Sequence, residues 1–254
     1  MSIEFVVGTH TKLELVSANH GAIRVPLAQN FDYTPEFDER RLFEFDSAAA
    51  IAVVTNFTGV TISFDHFDSD SKLVDAVVND IDPAGSVTVD DPSQYQDLHV
   101  ILNVRRKSDN KIFQSILVKN ARLNGAAASE PVREEATISR SGVATNALRI
   151  KGAAIEYARA LRAGSTAFAQ GSANSRADKT ATLVTTNYEF DLDNDPVAVV
   201  AKDADLDGEK VIFALKNGEE YANFSITGTK TIQIPEADFT ANDVFEFYTT
   251  YIDA

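Results

Sequence analysis

The residues with the spacing most able to do chemistry are the alternating aspartates of Asp203-Ala204-Asp205-Leu206-Asp207-Gly208. Alternate carboxylate oxygens can surround a hard cation, and a glycine permits the sharp turn, so the run matches the first half of a calcium loop. The second half departs from that pattern. Its twelfth position, where a glutamate would chelate through both oxygens, is Ala214, and the flanks read as strands. Asp203, Asp205 and Asp207 are therefore metal-ligand candidates, with an acidic turn as the plainer reading.

Other chemistry is sparser. There is no cysteine, which excludes disulfides, thiolate metal sites and cysteine nucleophiles. The four histidines, His10, His20, His66 and His99, lack metal-ligand spacing, and His66 and His99 sit in or beside strand-like runs, where a structural role is expected. Glu134-Glu135 is a carboxylate pair, but neighbours on a strand point apart and make a poor acid/base pair. No phosphate loop, dinucleotide fingerprint, zinc-protease helix or nucleophile elbow occurs. Asn56-Phe57-Thr58 and Asn223-Phe224-Ser225 match the glycosylation sequon. Without a secretory signal at the N-terminus they read as chance matches. The expectation is a protein with no catalytic residue and no cofactor.

Charge is distributed unevenly. The chain has a net charge of −15, with −12 in residues 1–97, +7 in 98–162, +1 in 163–179 and −11 in 180–254. Such a balance argues against a general nucleic-acid binder, and the acidic–basic–acidic order raises the question of which surfaces meet. The longest apolar run, Ala48 to Val54, falls far short of the roughly 20 residues a membrane helix needs. A soluble protein with no membrane partner is expected.

The elements that must position these residues are mostly strands. Val60, Ile62, Phe64 and His66 alternate with Thr61, Ser63, Asp65 and Phe67, and period-2 alternation sends the two sets to opposite faces of a sheet. Thr58-Gly59 predicts a hairpin turn between Ala50–Phe57 and Val60–Phe67. Leu73, Val74, Val77 and Val78 have helical spacing behind Ser69 or Asp70 as cap, so a helix is predicted over 68–79. Leu98–Val104 and Lys111–Val118 predict a second hairpin. Leu148 and Ile150 alternate with Arg149 and Lys151. The small and polar residues of 163–179 read as a flexible linker. From Thr180 onward, short strands recur with glycine turns, the pattern of a small β-sandwich. The aromatic, mixed-charge stretch Phe31–Asp46 reads either as a surface loop leading into a strand at Leu42–Phe45 or as a contact loop, since aromatics and arginine among polar groups are typical of interfaces.

The ordered features of residues 1–162 resemble the tail tube proteins of long-tailed bacteriophages. The likeness is carried by Gly8-Thr9, the Phe31–Phe45 loop and Thr55-Asn56-Phe57-Thr58-Gly59-Val60 with its following helix. It continues through Leu117-Val118-Lys119-Asn120-Ala121-Arg122-Leu123-Asn124-Gly125, Glu134-Glu135-Ala136-Thr137-Ile138 and Ile150-Lys151-Gly152. The resemblance implies a mainly β, tail-tube-type sandwich or barrel with one flanking helix in residues 1–162. A linker over 163–179 and a small immunoglobulin-like β-sandwich over 180–254 would complete the chain.

It further implies homohexameric rings that stack into a hollow tube in the virion tail. The subunit would be made in the host bacterial cytoplasm and would contact other tail proteins. DNA would cross the lumen without specific binding. Tyr33, Phe37, Arg40, Arg41, Arg149 and Lys151 are the expected assembly residues. Three alternatives stay open: a capsid decoration or tail terminator protein, a calcium-dependent β-domain binding module, and an enzyme whose site is assembled from distant residues.

Overall fold

The computed structural model describes residues 11–17, 19–25, 28–43, 50–67, 74, 77–78, 96–106, 108–129, 137–165, 178–200 and 206–252. Fifteen strands dominate them, so the fold is mainly β, as the alternation predicts. Seven strands form a first, wholly antiparallel sheet. They are β1 (Thr11–Ser17), β2 (Gly21–Val25), β3 (Gln29–Phe43), β4 (Ala50–Phe67), β5 (Asp97–Arg105), β6 (Ile112–Ser129) and β7 (Thr137–Lys151), in the order β2-β1-β5-β6-β7-β4-β3.

One face of this sheet carries the first core. Leu13 and Leu15, Val60, Ile62 and Phe64, Val100 and Leu102, and Ile116 and Val118 are buried there together, each worth roughly 1.5–3 kcal/mol relative to exposure. Val74, Val77 and Val78 are helical and fully buried against the same core. The rest of the helix expected over 68–79 lies outside the described residues.

The expected hairpin at Thr58-Gly59 is instead one 18-residue strand. Gly59, at φ 154°, absorbs a register shift: Glu36 pairs with Gly59 but Phe37 pairs with Phe57. A glycine in a strand can mark a bulge as well as a turn, and here pairing with β3 and β7 decides for the bulge. β7 is likewise one long strand of 15 residues. Its buried side changes between Ala144, in the first core, and Leu148, which packs on a different cluster.

The remaining strands form a second sheet. They are β8 (Ala154–Arg162), β9 (Asp178–Val184), β10 (Asn187–Asp191), β11 (Val211–Lys216), β12 (Glu219–Glu220), β13 (Ser225–Thr227), β14 (Thr231–Pro235) and β15 (Phe245–Tyr251), ordered β12-β11-β15-β8-β9-β10-β14-β13. Both halves of the sheet bury one cluster, with Ala158 and Ala160 against Tyr188, Phe190, Ile232, Ile234, Phe245 and Phe247. β8, expected within the unit 1–162, pairs instead with β15 and, in parallel, with β9. The segment expected as a linker therefore joins two neighbouring strands of one sheet. Of that segment, residues 166–177 lie outside the described residues. Within the series of short strands expected from Thr180 onward, the described residues 197–200 form none, although Val197 donates its N–H to the Thr250 carbonyl.

The two sheets pack face to face. Val16, Ala22, Ile101 and Leu117 of the first meet Ile155, Tyr157, Ile212, Leu215 and Tyr248 of the second. A buried polar clamp sits within this contact. The Asn103 Nδ2 donates to the Ile155 carbonyl at 3.0 Å, and its Oδ1 accepts from the Ile155 N–H at 2.9 Å. The Ser115 hydroxyl contacts Asn103 Oδ1 at 2.6 Å and the Ala153 carbonyl at 2.8 Å.

Two substitutions test these close fits. A Cβ on Gly142 would lie 2.2 Å from the Arg122 carbonyl oxygen and 2.8 Å from Leu123 Cα, so Gly142→Ala must push β6 and β7 apart. A loss on the order of 2–4 kcal/mol is expected, read by chemical denaturation. Asn103→Ala orphans the Ile155 N–H and carbonyl in a dry interface and is expected to cost about 2–4 kcal/mol by the same measurement.

Candidate functional site

β4 pairs with β7 only from Val60 to Phe67, yet it pairs with β3 back to Ala50. Residues 37–43 and 50–57 therefore form a two-stranded ribbon, with seven register pairs and no third strand among the described residues. At about 3.3 Å per residue the ribbon is roughly 20 Å long. An isolated pair of strands is marginal in water, so such a ribbon needs something to pack against. Where it leaves the sheet, Phe37 and Phe57 are directly paired, with ring centroids 5.7 Å apart in an edge-to-face contact. They remain 57% and 46% exposed, among the most solvent-exposed large apolar side chains of the first sheet.

β3 is also the edge of the sheet, and the edge opposite it is the much shorter β2. An edge strand leaves a row of unpaired backbone groups. Pro35 and the exposed Asp32, Glu36 and Asp38 limit indiscriminate pairing along it. The base of the ribbon is fixed by Asp65, which accepts from Asn30 Nδ2 on β3 at 2.7 Å and from the Ser139 hydroxyl on β7 at 2.5 Å. Beside it, Thr34, Thr61, Ser63, Ser141 and Val143 line a shallow open groove on the face opposite the first core.

The expected assembly residues fall in two places. Tyr33 is half-buried against the first core, and Phe37 stands exposed four residues further along β3. Arg40 and Arg41 lie on the ribbon opposite Val54 and Val53; their side chains are outside the described residues. Arg149 and Lys151 are at the far end of β7, exposed, and Arg149 Nε donates to Gln114 Oε1 at 2.8 Å. Sequence reasoning missed Phe57, and it missed Asn103 and Ser115. Asn103 carried a readable signal as the lone polar residue of Val100–Val104, whereas Ser115 is masked by the neighbouring polar Gln114. Of the calcium candidates, Asp203 and Asp205 lie outside the described residues and Asp207 is exposed in a turn. Among the described residues no group of His, Asp and Glu is arranged to hold a metal, and no helix is long and apolar enough to cross a membrane.

The contact between the sheets holds the most perturbed titratable groups. His99 packs edge-on against Phe213 and Tyr248, at centroid distances of 5.5 and 5.2 Å. Its Nδ1 accepts from the Asn120 N–H at 3.3 Å, which leaves the proton of the neutral ring on Nε2. Burial, helped by the charge of Lys119, lowers its pKa to about 4. Lys119 lies 3.9 Å over the Phe213 ring, and burial lowers its pKa too, against the pull of Glu220. Tyr157 donates to Glu246 Oε1 at 2.8 Å; desolvation raises the Glu246 pKa and holds both Tyr157 and Tyr248 well above the ordinary phenol range. On the same face, Arg159 is fully buried, forked onto Asp178 at 2.7 and 2.9 Å and donating to the Asn19 carbonyl at 2.8 Å. His99 and Lys119 thus fasten the first sheet onto Phe213 and Tyr248 of the second, while Tyr157–Glu246 and Arg159–Asp178 join neighbouring strands within the second sheet.

No protein-family model matches the chain, and no curated protein sequence matches it. Among solved structures, the tube-terminating cap of the anti-feeding prophage is similar at a TM-score of 0.36 with 10% identity, covering 59% of this chain and 95% of that one. The sheath–tube complex of the PVC extracellular contractile injection system gives 0.36 and 9%, covering 59% and 94%. A crystal structure of an Hcp protein gives 0.34 and 9%, covering 56% and 90%. Likenesses this distant carry no argument about what this chain does.

The His99 environment yields a pH dependence. Its folded pKa is depressed, so between pH 6.5 and about 4 the unfolded chain binds a proton that the folded chain refuses. Stability contributed by neutral His99 is therefore complete above pH 6.5 and is lost as pH falls towards 4, by up to about 3 kcal/mol. Glu246, with a raised pKa, acts in the opposite sense, so the informative quantity is wild type minus His99→Phe. That difference in unfolding free energy is expected to fall across this window; a flat difference would show that the ring is not held neutral.

Proposed function

We propose that this chain is a structural subunit of a phage-tail-like tube. Six copies close a ring, rings stack into a hollow filament, and DNA passes along the lumen without specific contacts. In this reading the chain resides in a virion tail, is made in the host bacterial cytoplasm and touches other tail proteins. Residues 180–254 are an appended immunoglobulin-like β-domain whose strands take in β8, and the role calls for no catalytic residue or cofactor.

The observation that carries the reading is the unfinished first sheet. It ends in a 15-residue edge strand and continues into a ribbon that has no third strand among the described residues and bears the exposed Phe37–Phe57 pair. An open edge is removed by closing sheets around a ring, and a two-stranded ribbon gains stability by packing on a neighbour. A ring with head-to-tail contacts closes by rotation, and an axial repeat extends it. The net charge of −15 suits a conduit that does not retain a polyanion.

Negative-stain electron microscopy of the purified protein tests this directly. Rings or tubes with a central channel are expected, and a monodisperse monomer at high concentration would overturn the reading. Phe37→Ser with Phe57→Ser is expected to leave the subunit folded while weakening association about tenfold or more per ring removed, read by sedimentation velocity.

A further inference from the structure

Among the described residues, five cations of β5, β6 and β7 and their connection collect at one end of the first sheet. Arg105 ends β5 and Arg106 follows it, Lys111 leads into β6, and Arg149 and Lys151 end β7. The register brings them together: Arg105 is opposite Ile112, Arg149 opposite Ile116 and Lys151 opposite Gln114. The Arg106 N–H donates to the Lys111 carbonyl, and the Gly152 N–H donates to the Phe113 carbonyl. At about 3.3 Å per residue and 4.8 Å between strands, the five fall within a patch on the order of 15 Å across.

Arg106, Lys111, Arg149 and Lys151 are exposed and Arg105 is half-buried. Arg106 lies 3.7 Å from Asp109, whose other oxygen accepts the Lys111 N–H at 3.1 Å. Arg149 is held by the neutral Gln114 Oε1, which orients its charge without cancelling it. In a chain of net charge −15 this patch is opposite in sign to most of the surface.

We propose that this patch is the docking surface for the acidic edge strand β3 of a second copy, where Asp32, Glu36 and Asp38 are exposed. The patch lies at the end of β5, β6 and β7, whereas β3 is the outer strand beyond β4. One copy thus offers both surfaces at different places, and the contact is head-to-tail: the patch of each subunit meets the edge of the next. Rim charges of this kind set register and suppress wrong partners. The inference rests on the self-associating subunit proposed above and adds which two surfaces meet.

The test begins with the wild-type full chain, whose association by sedimentation velocity and electron microscopy establishes the assembled state. If the wild type does not associate, the tube reading itself fails. Given assembly, raising salt from about 50 mM to about 500 mM is expected to weaken it at least tenfold. Arg149→Glu with Lys151→Glu, and separately Glu36→Lys with Asp38→Lys, are each expected to prevent assembly while far-UV circular dichroism shows folded subunits. Mixing the two reversed chains is expected to restore it, because each patch then meets an edge of opposite sign. Should the first pair misfold, Arg106→Glu with Lys111→Glu takes its place. Wild-type assembly by a reversed chain, or no rescue on mixing, overturns the proposal and leaves the tube reading standing. Retention of a short DNA duplex by the wild type, lost in the patch reversal while assembly persists, overturns it in favour of a polyanion.

Discussion

The hydrogen bonds between Asn103, Ser115 and the backbone of residues 153–155 are the constraint on which the rest of the structure depends. They hold the start of β8 onto β5 and β6 of the first sheet, and β8 lies in the interior of the second sheet, between β15 and β9. Fixing its first residues therefore fixes the position of the whole second sheet. An amide that both donates to and accepts from one residue is highly directional, so it sets the angle and depth at which the sheets meet. The apolar cluster around Ile101, Leu117, Ile155 and Tyr248 supplies attraction, which by itself is indifferent to small sliding. Buried polar groups enforce the choice, because misplacing them leaves donors and acceptors unsatisfied.

This rigid joint contrasts with the opposite side of the first sheet. There the ribbon of β3 and β4 leaves the core behind, and its pairs are supported by cross-strand contacts alone among the described residues. Local stability in proteins follows buried contact, so the joint belongs to the firm end of the molecule and the ribbon to the labile end. A chain built this way carries a fixed orientation between its two sheets and, among the described residues, leaves the β3 edge open. The strongly bonded Asp65, shared by Asn30 and Ser139, marks where one regime gives way to the other.

Much of the fold was legible because period-2 alternation maps directly onto faces. Val60, Ile62 and Phe64 are buried as the pattern requires, as are Val100 and Leu102. What local pattern cannot encode is the partner of a strand. Thr58-Gly59 has the chemistry of a turn, and only the long-range pairing of β4 with β3 and β7 makes it a bulge. Ala154–Arg162 reads as one more strand of a continuing series, and its membership of the second sheet depends on β15, some ninety residues later. β7 hides a change of buried side between Ala144 and Leu148, which any strict alternation misses. For the candidate site, exposed Phe37 was legible as an aromatic among charges, whereas Phe57 gained meaning only through its register with Phe37.

Charge shows the same division between what composition states and what packing decides. Residues 98–162 carry a net +7, which looks like one basic surface until the side chains are placed. Arg159 is buried against Asp178, Arg140 is buried, Lys119 lies over Phe213, and Arg162 lies 4.7 Å over Tyr188 and donates to the Phe239 carbonyl. These cations are consumed in joining strands and sheets, and their charge is largely withdrawn from solvent. Among the described residues, five of the cations left to the surface lie where β5 and β7 end and β6 begins, with Arg122 exposed further along β6. A diffuse basic segment would attract any anion over a broad area. A compact patch flanked by acidic surface is selective, because a partner must match both its sign and its extent. The internal placement of Arg159, Arg140, Lys119 and Arg162 is therefore part of what gives the exposed remainder a defined shape.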